Sequence, residues 1–294
     1  MSIRDGLIDI ARRACPADGI TIEKAAAVFL RKLNPDGGFR GKGTQSDLYY
    51  TGFALMSLTA LGQSLELPHL CDFLDGFGDG DGLDLAHLAA LVRGRFLTDR
   101  LTPAVIGALA ERLETFRCKD GAYHHLCSGN EGSAYGCFLA LGAYQDLALP
   151  LPDAAAILDC IDKLKTDSGY YNEAMLPLVS APGTAAAVNT LTELGRPVDP
   201  CDVDWLFISR DPHGGFKVMP AAPTADLLST AVALHTLAAV GADLEPIRHI
   251  DCAYVLGLWD DRVGFCQNRI DPISDCEYCF YGLLSLGHLH EPNG

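Results

Sequence analysis

Five carboxylates, Asp47, Glu131, Asp226, Asp275 and Glu277, each stand at or near the head of a long apolar stretch. A carboxyl group facing a mostly apolar space has its charged form disfavoured, which raises its pKa and suits it to donate a proton as a general acid. Asp47, Asp226 and Asp275 also sit where a side-chain oxygen can cap a helix and complement its dipole, and capping alone would account for them. Glu277 lies inside its apolar stretch beside Tyr278, where capping explains nothing. Asp226, Asp275, Glu277 and Glu131 are therefore the candidates for acid–base catalysis, with Asp47 a candidate for substrate contact. Cys276 and Cys279 share one face of a helix at i, i+3, and Cys266, Asp226 and His124-His125 could complete a rearranged zinc site with them. The second Cys-x-x-Cys usual for such a site is missing, so no metal and no cofactor is expected. The acidic stretch Asp75 to Asp84 lacks the acidic twelfth residue of an EF-hand loop and is expected to be a solvated loop. Neither G-x-S-x-G nor G-x-x-x-x-G-K-[ST] occurs, so nucleophilic and phosphate-loop chemistries have no motif here.

What must position these carboxylates is a repeat. Asn34-Pro35-Asp36-Gly37-Gly38-Phe39, a polar loop and then Ser46 to Gly62 return as Asp211 to Phe216 with Asp226 to Gly241. They return again as Val263-Gly264-Phe265 with Asp275 to Gly287. Weaker copies are Asp120 to Tyr123 with Gly132 to Gly142, and Asp167 to Tyr170 with Gly183 to Gly195, while Gly76 to Val92 is the most decayed. The period is about 45 residues. Each unit predicts an amphipathic helix before the glycine turn, as in Ile22 to Leu33 or Ala154 to Lys165, and a helix apolar nearly all round after the loop. Helices of the second kind must be buried. Six hairpins with buried inner and amphipathic outer helices describe two concentric rings in a single all-α domain spanning residues 1–294. The turn aromatics Phe39, Phe216 and Phe265 are expected to plug the hairpins after αL glycines. An open solenoid would need polar capping repeats, and the last unit is as apolar as the others.

The chain carries a formal charge of −16, is 49% hydrophobic, and has eleven cysteines scattered through apolar stretches, which read as reduced buried thiols. An acidic surface without a Lys/Arg cluster disfavours nucleic acid and anionic membrane surfaces. No apolar run approaches the ~20 residues of a membrane span, and the N-terminal residues carry no signal-peptide pattern. A soluble, cytoplasmic protein is expected.

The segments Asp36 to Phe39 with Ser46 to Thr51, and Gly264-Phe265 with Ser274 to Leu283, resemble repeats of the protein prenyltransferase β subunits, which share an α/α toroid with squalene cyclases and other class II terpene cyclases. The resemblance extends over nearly the whole chain and implies an α6/α6 barrel acting on isoprenoids. It also implies site residues, most of which are changed here. The family's zinc thiolate falls on Leu228 and its histidine ligand on Tyr278, leaving Asp226 alone. In the loop where relatives hold diphosphate, only Lys217 is basic. The cyclases' proton-donating aspartate also falls on Leu228. Aromatic rings at the mouth, Tyr50, Tyr135, Tyr170 and Tyr278 foremost, would meet the substrate and stabilise carbocations through their π faces. The expectation is a diverged enzyme handling a hydrophobic, isoprenoid-like molecule by cyclase- or isomerase-type acid–base chemistry. The alternatives are a prenyltransferase with a rearranged metal site and a non-catalytic toroid binding a lipid or protein. The resemblance allows a helical partner subunit, usual for eukaryotic relatives, or a homo-oligomer.

Overall fold

The computed structural model describes residues 2–17, 19–126, 129–199 and 201–290. After α1 (Ile3–Arg12) come six helical hairpins. They are α2 (Ile22–Leu30) with α3 (Leu48–Ala60), α4 (Leu70–Asp75) with α5 (Leu85–Leu97), and α6 (Pro103–Glu114) with α7 (Ala134–Asp146). They continue with α8 (Ala154–Leu164) and α9 (Ala181–Glu193), α10 (Cys201–Ile208) and α11 (Leu227–Ala239), then α12 (Glu245–Leu256) and α13 (Cys276–Leu289). The second helix of each pair packs on the second helix of the next, and α13 packs back on α3, so the inner ring closes. The α/α toroid expected from the repeat is the observed architecture. Among the described residues no helix is long and apolar enough to cross a membrane.

Every inner helix begins on a residue whose side-chain oxygen accepts an amide of the first turn, satisfying a donor that the helix itself leaves free. Asp47 accepts from Tyr49 N–H at 2.8 Å and Asp84 from His87 N–H at 2.9 Å. Ser133 accepts from Gly136 at 3.0 Å, Ser180 from Gly183 at 3.2 Å, Asp226 from Ser229 at 2.8 Å, and Asp275 from Tyr278 at 2.9 Å. Glu131, expected at the start of an inner helix, is instead exposed in the loop before α7, where Ser133 makes the cap because it stands one residue before the first helical position.

The turn aromatics plug the hairpins as expected. Phe39, Tyr123, Phe216 and Phe265 are fully buried, and Tyr170 is nearly so. Gly37 has φ +92°, and a side chain there would run into the backbone of His69 and Leu70. The rings are held by a bond that the repeat pattern did not reveal. Phe39 N–H donates to Thr51 Oγ1 at 2.9 Å, Phe216 N–H to Thr230 Oγ1 at 2.9 Å, and Tyr170 N–H to Thr184 Oγ1 at 3.2 Å. Each threonine is the fourth residue of its inner helix, and Cys137 and Cys279 occupy that place in α7 and α13. Nine cysteine side chains lie among the described residues, none in a disulfide and six of them buried.

The strands are short. β1 (Phe39–Arg40) pairs with β2 (Ser46–Asp47), and β6 (Trp259–Asp260) with β7 (Gly264–Phe265), each clamping a turn aromatic. The exception is β3 (Lys165–Thr166), β4 (Gly169–Glu173) and β5 (Leu176–Val179), an antiparallel sheet beside the N-terminal end of α9. At the opposite end of the ring α1 packs on α3, α7 and α13. Arg4 Nη1 donates to buried Asp146 at 2.6 Å, Ile3 N–H to Gln145 Oε1 at 2.8 Å, and Gly287 leaves room for the carbonyl of Ile10.

Replacing Thr230 by valine keeps the shape of the side chain and strands the buried Phe216 amide. We expect Thr230→Val to lower unfolding free energy by about 1–3 kcal/mol in urea titrations, with an unchanged circular dichroism spectrum and with Thr230→Ser close to wild type.

Candidate active-site cavity

The inner ring encloses a cavity of about 510 Å³, within the ~300–1,000 Å³ typical of small-molecule sites. Because each cap fixes where its helix starts, the same positions of every inner helix face inward. The second position contributes Tyr49, Ala86, Tyr135, Pro182 and Leu228. The fifth and sixth contribute Gly52, Phe53, Phe138, Ala185, Ala186, Val232, Phe280 and Tyr281. The ninth contributes Met56, Arg93, Asn189, His235 and Leu284, and Leu7 of α1 reaches the same end. This is the i, i+3/i+4, i+7 stripe of one helix face.

The second residue of α13 is Glu277. Tyr49 Oη donates to Glu277 Oε1 at 2.7 Å, and the Tyr281 hydroxyl stands near the same carboxylate. Tyr135 neighbours Tyr49 in turn, so three cavity-lining phenols gather near one carboxyl group at the N-terminal end of the barrel. Burial pushes Glu277 up to about 7, even though the hydroxyls of Tyr49 and Tyr281 favour its ionised form. Burial likewise pushes Tyr135 up to about 12, and Tyr49 and Tyr281 well above the usual phenol range, so all three remain neutral donors. Asn172 on β4 lines the same end and accepts from Tyr135 N–H at 3.0 Å, tying the sheet to the start of α7.

Glu277 is not itself a lining residue and meets the cavity through Tyr49, and of the other expected site residues all but Tyr135 stand outside the lining. Asp226 caps α11 and takes both the amide and the hydroxyl of Ser229, while burial raises its pKa. Asp275 is fully buried and raised for the same reason, and its Oδ2 has no hydrogen-bond partner among the described residues. Tyr50 and Tyr278 are both third residues, one step past the inward position. Tyr50 packs on Gly41, and Lys42 lies 5.2 Å from the Tyr278 ring centroid. Tyr170 is a hairpin plug, and Lys217 is paired to Asp211 at 3.4 Å. Asp47 contacts His87 Nε2 at 3.4 Å, while Asp84 Oδ1 lies 2.8 Å from its Nδ1. Hydrogen bonding to Asp47 leads the causes that push His87 up to about 9. His87 was missed at the sequence level, as were Tyr281, Asn172, Arg93, Asn189 and His235. Counting from each cap would have found those on the inner helices.

The zinc donor set does not assemble. Leu228 stands where a thiolate is needed, both oxygens of Asp226 are engaged by Ser229, and no three His, Cys, Asp or Glu residues converge to hold a metal among the described residues. Cys276 approaches the Arg40 carbonyl, Cys266 that of Pro272, and His124 Nε2 lies 2.9 Å from Glu173. In the acidic stretch Asp79 and Asp81 pair with Arg112 at 2.8 Å each, and Asp75 pairs with Arg100.

A family model described as the prenyltransferase alpha-alpha toroid domain matches residues 16–169 and 188–293. Among solved structures, protein geranylgeranyltransferase-I of Candida albicans complexed with GGPP is similar at 16% identity and a TM-score of 0.65. That likeness covers 91% of this chain and 90% of the other. A variant of the type II terpene cyclase MstE from Scytonema, in complex with its product merosterolic acid A, is similar at 12% identity and a TM-score of 0.63, covering 97% of both chains. No curated protein matches the chain by sequence.

With its pKa raised from 4.5 to about 7, Glu277 holds its proton longer in the folded chain than in the unfolded one. Its protonated form therefore supports folding fully below pH 4.5, and that contribution is lost as pH rises to about 7. Across this window we expect wild type to lose stability relative to Glu277→Gln at up to about 1.4 kcal/mol per pH unit, with no further divergence above it. Urea unfolding of both proteins at a series of pH values measures the difference.

Proposed function

The chain belongs to the prenyltransferase alpha-alpha toroid family, and on that premise we propose that it is an enzyme that takes a hydrophobic, isoprenoid-like molecule into its barrel and isomerises or cyclises it, with Glu277 as the proton donor. The observation that carries this reading is the placement of Glu277: buried just behind the wall of a largely apolar cavity and hydrogen-bonded by the lining residue Tyr49. A carboxylic acid with a pKa near 7 is partly protonated at neutral pH and can both give and recover a proton.

In the reaction we envisage, Glu277 transfers its proton to one carbon of an alkene, leaving a carbocation on the other. Phe53, Phe138 and Phe280, with the cavity tyrosines, offer π faces to that charge. Loss of a proton from a neighbouring carbon to the Glu277 carboxylate then yields an isomer. Attack by a second alkene before that loss yields a ring. Either way the acid is regenerated and no atom is gained. The hydroxyls of Tyr49 and Tyr281 steady the carboxylate between the two transfers.

The resemblance to class II cyclases puts their acid at the second position of α11, which is Leu228 here. The equivalent position of the neighbouring inner helix is Glu277, so the acid has shifted by one hairpin around the ring. In this reading Asp226 and Asp275 serve as caps. A diphosphate head group is disfavoured because capping carboxylates Asp47, Asp84, Asp226 and Asp275 surround the mouth and Lys217 is already paired.

Incubation with a panel of linear polyprenyl alkenes, alcohols and acids, followed by gas chromatography and mass spectrometry, should detect products of unchanged mass. Glu277→Gln should slow turnover by about 10²–10⁴-fold, and Asp226→Asn by far less. The wild-type rate should fall as pH rises past about 7, as Glu277 loses its proton. Equal turnover in Glu277→Gln and wild type would remove Glu277 from the mechanism.

A further inference from the structure

The far end of the cavity is polar, which conversion of a pure hydrocarbon does not require. At the ninth position of three inner helices stand Arg93, Asn189 and His235, all lining the cavity at the level reached by Leu7 of α1. Asn189 Nδ2 is committed to the Ala185 carbonyl at 2.8 Å and to Thr236 Oγ1 at 3.0 Å. His235 Nδ1 lies 3.1 Å from His288 Nε2, and burial pushes the two histidines down to about 4 and about 3, so both are neutral near pH 7. Arg93 is thus the only cationic side chain lining the cavity among the described residues.

Its charge is incompletely matched. Arg93 Nε donates to Asp146 Oδ2 at 3.0 Å, but the other oxygen of that carboxylate takes Arg4 Nη1 at 2.6 Å. One buried carboxylate therefore serves two guanidinium groups, and Arg4 also pairs with the half-exposed Asp5 and lies 3.5 Å from the Phe96 ring centroid. Arg93 Nη1 finds the Met56 sulfur at 3.6 Å, and no oxygen partner for either Arg93 terminal nitrogen is found among the described residues. Two parallel N–H donors on a part-buried cation match the geometry of a carboxylate.

Resting on the cavity reading above, we infer that the substrate is an amphipathic hydrocarbon acid, seated with its carboxylate on Arg93 at the floor and its unsaturated chain extending toward Glu277. The Asp146 carboxylate, shared with Arg4, fixes the guanidinium through Nε and leaves its outer edge to the ligand. The two ends of the cavity then have separate tasks: the floor sets how far the chain enters, and so which double bond comes to rest beside Glu277.

Binding without turnover tests this. Calorimetric titration of the wild-type protein with geranylgeranoic acid and with geranylgeraniol should show the acid binding about 10–100-fold more tightly. Arg93→Met should abolish that preference by weakening the acid far more than the alcohol, with the fold kept because Asp146 retains Arg4. Equal affinities for acid and alcohol in the wild type, which needs no variant to fold, would overturn the proposal and leave the acid–base reading standing. A preference that survives in Arg93→Met would overturn it too. Failure of both ligands to bind would bring down the cavity reading and this proposal with it.

Discussion

The hydrogen bond from a cap residue to the first turn of each inner helix governs everything the barrel presents to a ligand. Successive residues of an α-helix are turned by about 100° from one another, so the residue at which a helix begins decides which of its side chains look into the ring. Six caps, four aspartates and two serines, fix that phase in all six inner helices. They carry the second, fifth or sixth, and ninth residues onto one cylindrical wall. The carboxylates that look most available for chemistry in the sequence, Asp226 and Asp275, are spent on setting the phase. The carboxylate that the phase delivers to the cavity edge is Glu277, two residues past its cap.

The same constraint explains which parts of the protein could be read from its sequence. The ring was legible because a glycine turn, an aromatic plug and an all-apolar helix recur with a fixed period, each a local event. The site was half legible. Glu277 stood out as a carboxylate with no capping role, whereas Tyr50 and Tyr278 were taken over their neighbours. A single residue of phase separates a side chain in the cavity from one packed on a loop glycine, as with Tyr49 and Tyr50. Arg93, Asn189 and His235 were hidden because each is an isolated polar residue in an apolar helix, and only closure of the ring brings them to one level. The β4–β5 hairpin and the docking of α1 depend on tertiary partners that no local pattern encodes.

The buried thiols belong to the same construction. Cys137 and Cys279 stand where other units use threonine to hold a turn aromatic, and their sulfurs approach the carbonyls of Tyr123 and Phe265 instead of accepting an amide. A thiol is a weak hydrogen-bonding group that packs as a small apolar side chain. At α13 the plug is therefore retained by packing, with Gly282 giving up its side chain so that the Phe265 ring can lie flush against the helix, while at α7 the Tyr123 hydroxyl donates to Glu114 Oε1 at 2.6 Å. The pairs nonetheless superpose as one device, a ring seated on the fourth residue of a helix.

The placement of α1 has a consequence for how the chain is made. This helix leaves the ribosome before the rest of the barrel, yet the surface that receives it is assembled from α3, α7 and α13, the last of these being the final helix described. Contacts between segments so far apart in the chain are slow to form because the intervening loop must close first. Throughout synthesis α1 must wait as a detached amphipathic segment, with Arg4 short of its partner Asp146 until α7 has emerged and folded. Ring closure and floor closure converge on α13, which packs against both α3 and α1, so its arrival completes the ring and its floor in one step.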